Sequence, residues 1–379
     1  MKKNLIFVSL DTVRADVAYS GKFKAIENLR SAGVTFLNTI SSSPLTPVSH
    51  ATVFTGLQPF NHGVRHLFKE KINENVLTLA EILKSEGYKT GAVVSCPGMN
   101  NWYGFSRGFD HYDDEIPLLA DGSDPLQTVD VKKRGTALKR AEVVAERAIK
   151  WVSENKDVDP FFLFIHFFDA HWPYEAPQKF GGDNMYEEEV AYSDHYLGKF
   201  LTTMEEMNVL ENTTIVCFSD HGEDLDGLYP NDKGGEKLGH PEELGHGCLL
   251  YDQTQKVILI IKDKTLPNNC DIPDQVRLVD VMPTTLKLLG IQKNISFDGV
   301  SLLPILSGEK LNLPAYSETY YPEEQTVATG GKFAEARNKK SIRIKNSEKI
   351  ITHLNSDYIE IYDLKQDPNE IKNLLKNYE

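Results

Sequence analysis

Three aspartates in this 379-residue chain, Asp11, Asp169 and Asp220, sit at or just past the end of apolar runs, and Thr46 opens a short helix-like segment between the first two. In Thr46-Pro47-Val48-Ser49-His50 the proline has no N–H to donate and suits a first helical turn. Thr46 therefore reads as the N-cap and Gly56 as the stop. A helix N-terminus holds anions, because its N–H groups are unpaired and its dipole is positive. A hydroxyl there, with a divalent cation beside it, ionises and attacks an anionic centre; otherwise it simply starts the helix. Asp220-His221-Gly222 follows the apolar run 213–219, and the glycine permits a turn sharp enough for carboxylate and imidazole to reach one ion. Asp11 closes the run 4–10 in the same way. Asp11, Thr46, Asp220 and His221 together form a mixed oxygen and nitrogen ligand set for a divalent metal. His171, two residues past Asp169, and His246, in Gly-His-Gly, are candidates to donate to a substrate oxygen or to protonate a leaving group. Asp169 either orients His171 or belongs to the fold. His50 lies one turn into the Thr46 helix, on the side of the site; His62 and Arg65 read as supporting or structural, and His240 is left without a role.

These residues need a scaffold that gathers strand ends. Residues 4–10, 89–95, 161–168, 213–219 and 257–261 are continuous apolar runs, the pattern of strands buried on both faces. Helical spacing appears around 24–32, 46–56, 78–86, 140–154, 187–206 and 275–289. Alternation of this kind predicts an α/β fold with a mostly parallel central sheet sandwiched by helices, whose ligands bind at the carboxyl ends of the strands. The stretch 97–135, rich in Gly, Pro and Asp, reads as an extended loop region over the core, and a polar loop follows Asp220 as far as 247. After about residue 300 the pattern changes to short strands at 341–344, 349–353 and 358–362 and a terminal helix at about 369–377. The expected division is a catalytic domain over 1–300 and a small C-terminal α+β subdomain over 301–379.

A net charge of −14 argues against a nucleic-acid backbone as partner, but not against a small anionic ester held through a metal. No segment is long and apolar enough to span a bilayer. The N-terminal apolar run is too short for a signal peptide and ends in Asp11. Cys96, Cys217, Cys248 and Cys270 have no paired spacing, so a reducing, cytoplasmic compartment is expected.

The ordered motifs are similar to those of the sulfatase and phosphonate monoester hydrolase branch of the alkaline phosphatase superfamily. They are Ser-Leu-Asp-Thr-Val-Arg-Ala-Asp (9–16), Thr46 through Gly56, Asn-His-Gly-Val-Arg (61–65), Asp-Ala-His-Trp-Pro-Tyr (169–174), Ser-Asp-His-Gly-Glu (219–223) and His-Gly-Cys-Leu-Leu-Tyr-Asp (246–252). Val-Asp-Val-Met-Pro-Thr (279–284) and Tyr-Asp-Leu-Lys-Gln-Asp-Pro-Asn-Glu (362–370) extend the resemblance almost to the end of the chain. It implies a nucleophile at Thr46 and metal ligands at Asp11, Asp220 and His221. Sulfatases of this family carry a cysteine or serine, oxidised to formylglycine, in a Cys/Ser-x-Pro-x-Arg signature where this chain reads Thr46-Pro47-Val48-Ser49-His50.

Formylglycine is therefore not expected. Thr12 stands where many sulfatases have a second aspartate, and together with the histidine ligand this favours Mn²⁺ or Zn²⁺ over Ca²⁺. A threonine ester of phosphate is resolved by water attack at phosphorus, so the sequence predicts hydrolysis of a phosphodiester or phosphonate monoester through a covalent threonine intermediate. The alternatives are a sulfatase, a phospho-headgroup transferase and a catalytically silent binding protein of the same fold.

Overall fold

The computed structural model describes the chain apart from residues 1, 68, 120, 129–138, 159, 178, 226–239, 242, 324–336, 345–346 and 378–379. Parts of the two expected loops, 129–135 and most of 226–242, thus lie outside the described residues. The strands are β1 (Asn4–Leu10), β2 (Val34–Ile40), β3 (Lys89–Val93), β4 (His111–Asp113), β5 (Phe161–Phe167), β6 (Thr213–Phe218), β7 (Asp224–Leu225), β8 (Leu244–Gly245), β9 (Lys256–Val257), β10 (Leu259–Lys262), β11 (Cys270–Arg277), β12 (Ala315–Thr319), β13 (Lys339–Ile344), β14 (Glu348–His353) and β15 (Ile359–Asp363). The principal helices are α1 (Lys24–Ser31), α2 (Thr46–Thr55), α3 (Leu79–Ser85), α4 (Ala141–Asn155), α5 (Met185–Glu206) and α6 (Val281–Leu288).

Two compact units divide the chain. The first comprises 1–35, 77–219 and 258–272; the second comprises 36–76, 220–257 and 273–379. In the first, the strand order is β10-β6-β1-β5-β3-β4. β6, β1, β5, β3 and β4 run parallel, whereas β10 is antiparallel to β6. All seven residues of β1 and of β5 are buried, as their predominantly apolar sequences predict. Phe7 meets Phe162 and Phe218 edge-on at 5.6 and 6.0 Å, a geometry that adds to the roughly 1.5–3 kcal/mol that each such buried side chain contributes. Helices α4 and α5 pack against each other, and Trp151 of α4 lies where a Cβ at Gly91 would be only 2.3 Å from it. That position in β3 therefore requires glycine.

β2 passes from one unit to the other: Val34 and Thr35 pair antiparallel with β10, and Thr39 and Ile40 with β9. The second unit also carries an antiparallel sheet in the order β12-β13-β14-β15 and the small β7–β8 ladder. The fold is thus α/β with a mixed, mostly parallel central sheet and a small antiparallel C-terminal sheet.

Some boundaries differ from expectation. The helix expected at 275–289 is strand to Arg277, and α6 begins only at Val281, after a turn in which Asp280 accepts from the Arg277 N–H and side chain. The terminal helix is a single 3₁₀ turn, Leu374–Asn377; its preceding stretch is fixed instead by side-chain bonds such as Asp367 accepting from Lys372 N–H. The C-terminal sheet also has a fourth strand, β12.

Candidate active site

Helix α2 is where the sequence reading and the structure differ most usefully. Leu45, with extended φ/ψ of −135° and 124°, is the N-cap and makes no side-chain cap bond, so Thr46 is the first helical residue. Pro47 holds the first turn, and Gly56 ends the helix at φ 65°, a left-handed conformation that suits glycine. Because its hydroxyl does not cap the helix, Thr46 Oγ1 is directed elsewhere. It lies 3.3 Å from His221 Nε2.

His221 Nδ1 lies 3.0 Å from the Gly222 carbonyl, which accepts only an N–H; Nε2 therefore carries the lone pair. That lone pair faces both the Thr46 hydroxyl and Asp220 Oδ2, 3.4 Å away. Asp220 and His221 are fully buried and Thr46 is nearly so. A histidine whose other N–H is held by a carbonyl, converging with a carboxylate and a hydroxyl, is the arrangement of a metal-ligating imidazole. The donor set fits a divalent cation.

Supporting contacts fix these groups. Ser49 Oγ donates to the Asp220 carbonyl at 2.7 Å, tying one turn of α2 to the Asp220-His221 turn. His50 donates through Nδ1 to the Thr46 carbonyl at 2.8 Å, and the same nitrogen is 3.4 Å from Asp220 Oδ2. His246 donates Nδ1–H to the buried Glu223 at 2.9 Å, and its ring lies 4.2 Å from that of His221. Thr46, His50, Asp220, His221, Glu223 and His246 thus come together within the second unit. Below them, His62 bonds to Thr52 of α2 at 3.1 Å, and burial, helped by the charge of Arg65, pushes its pKa down to about 3. Arg65 itself forks onto Glu318, with both bonds at 2.7 Å. His240 donates to the Glu370 carbonyl at 2.8 Å and stacks on Tyr251.

Asp11 and His171 belong to the first unit. β1 and β6 are neighbours with Ser9 opposite Phe218, so Asp11 leaves the same strand edge from which the chain runs through Ser219 to Asp220. Thr12 follows at φ 59°, an unusual value for a β-branched residue. The turn is clamped by Tyr186 of α5, which donates to Thr12 O at 2.8 Å and accepts from Arg14 N–H at 2.9 Å. Asp11 also pairs with His166 of β5 at 3.0 Å.

His171 stacks on Phe168 with centroids 4.2 Å apart and gives its Nδ1–H to the Trp172 carbonyl. Asp169 belongs to the fold: it accepts from the Ala141 N–H at the start of α4 and lies 2.9 Å from Arg140 Nε. Arg140 also bonds Glu189 at 2.6 Å, yet burial still pushes Glu189 up to about 7.

Sequence reasoning gave no role to Glu223 and overlooked His166 and Tyr186. A signal existed for His166, a single polar residue inside Phe-Phe-Leu-Phe-Ile-His-Phe. Tyr186 stands in the first turn of α5, where nothing in the local pattern marks a long-range clamp.

A buried hydroxyl at a helix start that faces a carboxylate–imidazole pair is a donor set suited to a divalent cation, and the comparisons with known proteins give the class: a hydrolase of sulfate or phosphate esters. The chain belongs to the sulfatase family: residues 3–291 match the Sulfatase family model, and residues 246–379 match that of the N-sulphoglucosamine sulphohydrolase C-terminal region. Arylsulfatase K of Rattus norvegicus is 20% identical over 99% of this chain and 75% of its own length. Delta 4,5-hexuronate-2-O-sulfatase of Bacteroides thetaiotaomicron is 24% identical over 99% of this chain and 85% of its own. Among solved structures, the phosphonate monoester hydrolase of Agrobacterium radiobacter superposes with a TM-score of 0.75 at 19% identity, covering 99% of this chain and 92% of that one. An enzyme solved with its substrate D-glucosamine-2-N,6-O-disulfate gives 0.74 at 17% identity, covering 100% and 94%. These structural likenesses extend the agreement in fold along the whole chain.

Proposed function

We propose that this protein hydrolyses a small sulfate ester, with the Thr46 hydroxyl as nucleophile and a divalent cation held by Asp220, His221 and Thr46. Asp11, at the end of the strand beside β6, is the further ligand that the sequence resemblance implies. The family and the names of its relatives favour sulfate over the phosphorus centre that Thr46 alone suggested. The observation that carries the hydrolytic reading is the His221 tautomer, whose Nε2 lone pair faces the Thr46 hydroxyl with the carboxylate oxygen of Asp220 beside it.

When bound, the cation supplies charge that lowers the pKa of the Thr46 hydroxyl and offsets the charge of the ester oxygens. The residues of the chain do the rest. Thr46 Oγ, its proton passed to solvent, forms a bond to sulfur as the bond from sulfur to the leaving alcohol breaks. His246, its ring fixed through Nδ1 by Glu223, is placed to move a proton at Nε2 to the leaving oxygen; His171 is the other candidate. Water then attacks the same sulfur and frees Thr46. A reducing, cytoplasmic setting is part of the proposal, supported by four cysteines of which none forms a disulfide.

The second reading is a phosphodiester or phosphonate monoester hydrolase. One observation favours it: an unoxidised threonine cannot release sulfate by the elimination open to formylglycine, whereas a phosphothreonine is readily resolved by water. Nitrophenyl sulfate, methyl phosphodiester and phenylphosphonate substrates sharing one leaving group, assayed with added Mn²⁺, Zn²⁺, Mg²⁺ or Ca²⁺, decide between them. The sulfate should give the highest kcat/KM. Phosphorus substrates ahead by about 100-fold, or about 2.7 kcal/mol of transition-state binding, would replace the first reading with the second.

A further inference from the structure

β1, β5 and β3 are consecutive neighbours in the sheet, and their carboxyl ends carry three different ligand types. Asp11 follows β1, His166 is the penultimate residue of β5, and Cys96 lies three residues beyond β3. All three are buried, Asp11 and His166 completely. One ligating atom from each lies within 4.8 Å of the other two, and His166 Nε2 is 3.0 Å from Asp11 Oδ2. Nothing in the hydrolytic reading uses Cys96 or explains why a thiol should meet a carboxylate–histidine pair there.

We propose that Asp11, His166 and Cys96, all within the first unit, form a second cation site, specific for zinc. The proposal does not depend on the ester-hydrolase reading. Thiolate, imidazole and carboxylate are a characteristic zinc set, and three protein ligands leave a fourth position for water. Bound ligand atoms around zinc are about 3.2–3.8 Å apart, within the span this trio already occupies. A hard cation such as Mg²⁺ or Ca²⁺ would reject the sulfur.

Binding forms a zinc–sulfur bond as the Cys96 S–H proton passes to solvent. His166 keeps one proton. Its Nδ1 now accepts from the Ser95 N–H at 3.4 Å, a distance at the long limit of hydrogen bonding. Moving the His166 proton from Nε2 to Nδ1 frees Nε2 for the metal; it gives up the Nε2–H bond to Asp11 and the Ser95 contact and turns Nδ1–H towards the Ser95 N–H, a cost that the zinc–nitrogen and zinc–carboxylate bonds must offset.

The test is metal stoichiometry on the full chain, stripped by chelation and dialysed against zinc, with cobalt as a spectroscopic probe. Wild type should hold two equivalents of zinc, and its cobalt form should show the intense near-ultraviolet thiolate-to-cobalt band. Cys96→Ser should lose one equivalent and that band, and His166→Phe should lose the same equivalent. Zinc affinity at this position should fall by more than the roughly 10–100-fold that loss of an outer partner costs. Asp220→Asn should lose the other equivalent and keep the band. A wild type with one equivalent and no thiolate band overturns the second site while leaving the first intact; this result makes His166 simply the residue that orients Asp11. A wild type that binds no metal overturns both. The wild-type spectrum decides even if a variant fails to fold.

Discussion

Acid should loosen helix α2 through His62, and the size of the effect follows from its surroundings. The ring is fully buried, accepts the Val64 N–H at Nδ1 and donates Nε2–H to Thr52, so it is built to be neutral. Its pKa falls from the ordinary 6.5 to about 3 in the folded protein, through burial first and the Arg65 charge second. The unfolded chain thus takes up a proton below 6.5 that the folded chain refuses until about 3. Stability is greatest above the unfolded value and is lost as pH falls through this window. At about 1.4 kcal/mol per pH unit, going from about pH 7.5 to about pH 5 should remove about 2 kcal/mol. Any folded value below 4 gives nearly the same result. His62→Gln keeps an amide donor for Thr52 but cannot titrate. Urea unfolding of both proteins at the two pH values should show wild type losing about 2 kcal/mol more than the variant. Glu189, held up to about 7, acts with the opposite sign, since its contribution is lost as pH rises from 4.5 to about 7, but it is common to both proteins and cancels. Equal pH dependence in the two would refute a buried neutral His62.

Thr46→Ala should abolish turnover while Thr46→Ser retains part of it. Because Leu45 rather than Thr46 is the N-cap, urea midpoints should hardly move, in contrast to the loss of about 1 kcal/mol expected of a removed cap. His246→Ala should lose far more activity on esters with a poor alkoxide leaving group than on a nitrophenyl ester, and His171→Ala serves as the comparison; equal losses on both substrates would assign His246 to charge stabilisation. Tyr186→Phe removes both bonds that clamp the turn after Asp11, and should cost roughly 1–3 kcal/mol by urea denaturation and weaken metal binding measured by titration. Unchanged stability would mean that water replaces the hydroxyl.

The parallel strands were legible because strands buried on both faces must be mostly apolar, and β1, β5 and β6 are, with only Asn4, Ser9, His166, Thr213 and Thr214 as polar members. That Asp220 and His221 converge was legible for a related reason: two polar side chains directly after such a strand share one short turn at its end. Local pattern failed where distant partners decide the outcome. Thr46 looked like a cap because Thr-Pro usually is one, yet its hydroxyl turns to His221, 175 positions along the chain. The 275–289 stretch has helical spacing, but its first residues extend as the end of β11. Glu223 followed the recognised Asp-His-Gly and still received no role, since only the fold reveals that it meets His246.

All ten residues of helix α2 are buried, so it lacks the exposed face that most helices in globular proteins possess. Its polar members are each bonded inward: Ser49 to Asp220, His50 to Thr46, Thr52 to Val48 and Thr55 to Ala51. A saturation scan of an ordinary amphipathic helix returns tolerant and intolerant positions in a 3.6-residue rhythm. This one should return an unbroken block of depleted substitutions from Thr46 to Thr55, with no rhythm at all. Variation that retunes this enzyme for a new ester must therefore enter through the loops around α2, because the helix itself has no silent side on which to drift.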